Sequence, residues 1–73
     1  MNHEDEVMEL FEIVQLSFQK AIEHPDIPRW KSCAQLAGVA SCRMGADGDL
    51  FRAAALEGVS IEARRQIAAL EAA

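Results

Sequence analysis

The sequence predicts an all-α fold, a compact bundle of a long N-terminal helix followed by two or three shorter helices. The first observation behind this is helical periodicity over residues 5–24. The second is that helix breakers gather at 25–28 (PDIP) and 45–49 (GADGD), each stretch holding an aspartate placed to start the next helix. The third is the alanine-rich, helix-favouring run at the C-terminal end, IAALEAA.

In the first helix Val7, Phe11, Val14, Phe18 and Ala21 recur at steps of four, three, four and three, with Leu10 and Ile22 beside them. At about 100° per residue these form one apolar stripe. Pro25 stops the run, because its ring clashes with a continuing helix. Glu4, Asp5 and Glu6 lie where the positive end of the helix dipole favours acids, and His24 lies at the opposite end. Some apolar residues fall outside the stripe. With Val14 as the reference, Ile13 points about 100° to one side and Met8 about 120° to the other. Leu16 points nearly opposite, among Glu9, Glu12, Gln19 and Glu23. A helix covering a single core keeps that face polar. Met8, Ile13 and Leu16, with Glu9 and Glu12, are therefore the candidate partner-binding residues, for another protein or a second copy of the chain.

Asp26 is placed to cap a second helix, expected from about Pro28 to Met44, with the proline tolerated in its first turn. Trp30, Cys33, Ala34, Ala37 and Ser41 follow at helical spacing, with Leu36 and Ala40 alongside. Gly38 either ends this helix or, among small neighbours, lets another helix approach. Residues 45–49 read as a loop whose Asp49 caps a third helix, Leu50–Glu57, with Leu50, Phe51, Ala54 and Ala55 inward. Gly58 is expected to end it, and Ser60 to cap a fourth helix, Ile61–Ala72, with the stripe Ile61, Ala63, Ile67 and Leu70. The expected core is Val7, Leu10, Phe11, Val14, Phe18, Trp30, Leu36, Phe51, Leu56, Ile67 and Leu70. AQLAGV from Ala34 and AALEGV from Ala54 resemble each other, but six low-complexity residues coincide often by chance.

Seventy-three residues bound the chain to one domain, 1–73. Chains of this size often lean on disulfides, metals or oligomerisation. The beginning is acidic rather than basic followed by an apolar run, so no secretory leader is expected. Cys33 and Cys42 are expected as free thiols in a reducing cytoplasm. No apolar run approaches the roughly 20 residues that span a bilayer.

Twelve acids against seven bases give a net charge of −5. Such a surface repels nucleic acid and anionic membrane and suits a basic protein partner. A helix-turn-helix is the rival reading. Ala54, Gly58, Val59 and Ser60 match its turn, and Arg52, Arg64, Arg65 and Gln66 would be its nucleic-acid-binding residues. Glu57 and Arg64 fall where that motif wants buried apolar residues. A third reading is DNA mimicry by Glu4, Asp5, Glu9, Glu12 and Glu23. Asp47, Gly48 and Asp49 begin like a calcium loop, but its twelfth position is Gly58 rather than a glutamate. His3, His24, Cys33 and Cys42 lack paired metal-ligand spacing, and no nucleophile has a histidine nearby in sequence. No cofactor, metal or catalytic residue is assigned. The expectation is a small acidic non-catalytic protein that binds another protein or itself, such as an accessory regulator or inhibitor of a larger host or phage machine.

Overall fold

The computed structural model describes residues 3–73; the side chain of His3, and with it any part of His3 in a metal or catalytic site, lies outside the described residues. The described residues form three helices, α1 (His3–Glu23), α2 (Ile27–Ala46) and α3 (Leu50–Ala72). They span 21, 20 and 23 residues, so the N-terminal helix is not distinguished by its length. The bundle measures 43 × 19 × 13 Å, a flattened rod of helices about 30 Å long laid side by side.

Both connections are short, which makes successive helices antiparallel neighbours. Asp26 caps α2 by accepting the Arg29 backbone N–H at 2.8 Å, and its other oxygen pairs with the Arg29 guanidinium. Asp49 repeats the device at α3. It accepts the Arg52 N–H at 3.0 Å and the Arg52 guanidinium at 3.1 Å. Between them the chain leaves α2 through Gly48, the one described residue with positive φ, at 83°. Gly48 N–H donates to Gly45 O at 3.1 Å and Asp49 N–H donates to Met44 O at 2.9 Å, a Schellman closure. The expected loop at Gly45 therefore begins later, after Ala46.

The expected break at Gly58 is not formed: the third and fourth helices are one, continuous α3. Residues on both sides of Gly58 explain this. Leu56, Ser60 and Ala63 are buried on one line, and Val59 packs beside them. Ser60 does not cap a helix. Its hydroxyl is fully buried and donates to Ala34 O of α2 at 3.2 Å. Packing along the whole line outweighs the roughly 1 kcal/mol that an exposed mid-helix glycine costs. A Cβ on Gly58 meets nothing within 4 Å. Gly58→Ala should accordingly stabilise the fold by about 1 kcal/mol, raising the melting temperature by about 4–8 °C. A fall in the melting temperature would mean that the helix does break there.

Two buried clusters hold the layers together. Val7 and Val14 meet Ala37, Ala40, Met44 and Leu56 at one end, while Ala21 meets Trp30, Cys33 and Ala63 at the other. Phe18 stacks edge-on against Trp30, with ring centroids 5.7 Å apart. The α2–α3 seam is built from small side chains. Gly38 sits inside α2, and Ser41 donates to Ala53 O at 2.9 Å, mirroring the bond from Ser60. Of the two readings of Gly38, the helix end is not formed; α3 packs beside it, but a Cβ on Gly38 would meet Ser60 Oγ at 3.9 Å, an ordinary contact, so the seam does not require a glycine there. The six-residue likeness between 34–39 and 54–59 has no structural counterpart, since Leu36 is exposed and Leu56 buried.

Two expected core residues are outside. Phe51 is 86 % exposed, and Leu50, Ala54 and Ala55 also face solvent. The buried line of α3, through Ala53, Leu56, Ser60 and Ala63, is set by its seam with α2 and leaves Phe51 about 140° out of phase with Leu56. Leu36 is the second, at 38 % exposure, and Ile22 and Ile61 are likewise exposed members of their expected stripes. Met44, outside the expected core, is fully buried.

Candidate protein-docking groove

The residues off the core stripe of α1 divide into two flanks. Ile13 and Leu16 are 42 % and 58 % exposed and line one groove between α1 and α2. Met8 is also exposed, but lies about 140° around the helix from Ile13 and does not join them. Glu9 and Glu12 are both exposed, but Glu12 stands about 100° from Ile13 and about 40° from Met8, so three of the five candidate partner-binding residues, Glu9, Ile13 and Leu16, share the groove side.

From α2 come Arg29, Ser32 and Leu36, which with Ser17 and Lys20 of α1 complete a groove of about 370 Å³. Leu36 is exposed because it points about 100° from buried Ala37, toward the outer side of α1. Its misplacement in the expected core hid the match: Arg29, Ser32, Leu36 and Arg43 share one face of α2 at helical spacing. A shallower hollow of about 270 Å³, lined by Glu6, Glu9, Leu10, Ile13 and Arg43, continues the groove toward the start of α1. There Arg43 donates to Glu6 at 3.0 Å, tying α2 to α1. Both partners are about half exposed, so this pair contributes no more than about 1 kcal/mol. The side chains of Glu9, Glu12 and Lys20 make no hydrogen bond or ion pair among the described residues.

The apolar surface is therefore continuous across two helices, with acids at one end and Lys20 and Arg29 at the other. A monomer gains nothing from leaving Ile13, Leu16 and Leu36 wet together, since each buries readily against an apolar surface.

Under the groove, Cys33 is fully buried and free; burial pushes its thiol above the ordinary range, and a hydrogen bond with Ser17 acts in the opposite direction. Cys42 is free and exposed on the far side, in a hollow shared with Val39 and Arg64. Among the described residues no three His, Cys, Asp or Glu side chains converge to hold a metal ion.

The residues of the helix-turn-helix reading are not brought together. Its turn is absent because α3 continues through residues 54–60. Arg52 is bound to Asp49, Arg65 donates to Glu62 at 3.0 Å, and Gln66 donates to Glu62 at 3.0 Å. Arg52 and Arg64 stand about 18 Å apart along the helix axis. Of the acids in the mimicry reading, Asp5, Glu9, Glu12 and Glu23 share one stripe of α1, interrupted by Leu16 and Lys20, while Glu4 lies about 100° away. No helix of the described residues is long and apolar enough to cross a membrane.

The class these features define is an all-α bundle with an apolar groove open between its first two helices. Comparison with protein families, with curated proteins and with solved structures finds no match.

Proposed function

We propose that this protein acts without catalysis, by docking a protein into the α1/α2 groove. The observation that carries this reading is the exposure of Ile13, Leu16 and Leu36 in one groove that the core does not use. Aliphatic side chains lined up on two helices suit an amphipathic helix laid between them, the common helix-in-groove mode. The charged ends of the groove fix the direction of such a helix, since wrong-way docking sets like charges together. Accessory regulation or inhibition of a larger assembly is the biological role that such a small binding module suits.

Leu16→Glu tests this directly. The side chain is exposed, so the variant should keep its helical circular dichroism and its stability to within about 0.5 kcal/mol. It should lose the proteins that the wild type captures from a cell extract. If both forms capture the same proteins with the same yield, the groove is not the docking surface.

A further inference from the structure

We infer that the occupant of the groove is a second copy of this chain, docked about a two-fold axis that sets the two α1 helices antiparallel between Ile13 and Leu16. This rests on the docking reading above and names its partner.

The inference comes from the order of charges along α1. Glu9, Ile13, Leu16 and Lys20 follow one another at steps of four, three and four, within about 60° of one another around the helix. A two-fold axis midway between Ile13 and Leu16 exchanges these two positions. The same axis exchanges Glu9 with Lys20. In the antiparallel pair, Ile13 of each copy therefore meets Leu16 of the other, and Glu9 of each meets Lys20 of the other. A parallel pairing in register would instead set Glu9 on Glu9 and Lys20 on Lys20. The stripe is thus complementary to itself in one orientation, as an isologous interface requires.

The state of these side chains within one copy agrees. Lys20 and Glu9 have no ion-pair partner among the described residues, whereas the other charged groups at the groove, Arg29, Arg43 and Glu6, are already paired to Asp26, Asp47 and Glu6, and Arg43 respectively. The one like-charge match made by the axis is Glu6 with Glu23, and Arg43 already neutralises Glu6 at 3.0 Å. Leu36 of α2 lines the same groove and widens the apolar centre. Antiparallel α1 helices also place the opposite ends of their dipoles side by side.

Sedimentation equilibrium over micromolar to millimolar protein, with circular dichroism as the folding control, provides the test. The wild type should reach twice the 8.0 kDa chain mass, and Leu16→Glu should remain at 8.0 kDa throughout. Glu9→Lys and Lys20→Glu should each be monomeric alone, because each sets two like-charge pairs at the axis. An equal mixture of these two variants should regain the dimer mass, since each then supplies what the other lacks. A dimer that persists in all three variants, or a mixture that stays monomeric while the wild type is dimeric, overturns this arrangement. A wild type that is monomeric at every concentration overturns the second copy as occupant. If Leu16→Glu still loses partners from extract in that case, the docking reading survives alone; if it does not, both fall.

Discussion

Trp30→Ala is expected to remove a large part of the protein's stability and to move its unfolding midpoint in urea sharply downward. Trp30 is only 3 % exposed, touches the Phe18 ring edge-on and closes the cluster with Ala21, Cys33 and Ala63. Removing so large a buried side chain costs about 3–5 kcal/mol. The whole stability of a chain this size is roughly 4–11 kcal/mol, so the loss takes much of it. Urea titration followed by circular dichroism measures the change. Trp30→Phe should cost markedly less, because the indole N–H has no hydrogen-bond partner among the described residues and what Trp30 contributes is packing. A loss below about 1 kcal/mol for the alanine variant would mean that the cluster is not the core described here.

Ala37→Leu should be nearly as damaging, for the opposite reason. Ala37 is fully buried in the first cluster, on a helix whose seam with α3 is lined by small residues. The serine bonds from Ser60 to Ala34 O and from Ser41 to Ala53 O hold the two backbones close. Three added carbons must push the helices apart, breaking both bonds, at a cost of about 3 kcal/mol. Gly38→Ala on the same helix is the control. Its new Cβ would lie 3.9 Å from Ser60 Oγ, an ordinary contact, so that variant should be neutral or stabilising. If Ala37→Leu melts like the wild type, the seam is looser than the two serine bonds require.

These two variants also mark what could be read from the residues. The stripe Val7–Val14–Ala21 was legible because the large apolar residues of α1 concentrate on one side, with acids opposite. The capping roles of Asp26 and Asp49 were legible because an aspartate beside a helix breaker has few other local uses. Helix α3 was not. Its apolar residues lie all around it, its buried line includes Ser60 and two alanines, and Gly58–Val59–Ser60 has the local chemistry of a helix end. Only the long-range seam with α2 decides that the chain runs on as helix, and that Phe51 faces solvent.

Ile13 and Leu16 stood out because an acidic face has no structural need of them. Leu36 did not, because a leucine beside Trp30, Cys33 and Ala37 fits a core as well as a surface. Met8 broke the same rule as Ile13 but lies on the other flank of α1, which periodicity alone could not connect to a neighbour.

The most direct measurement is a dilution series followed by amide chemical shifts in nuclear magnetic resonance. As concentration rises, shifts are expected at residues 9–20 of α1 and 29–36 of α2, with α3 unmoved. Shifts centred on Val39, Leu50 or Phe51 instead, or none at any concentration, would contradict association through the Ile13–Leu16–Leu36 groove.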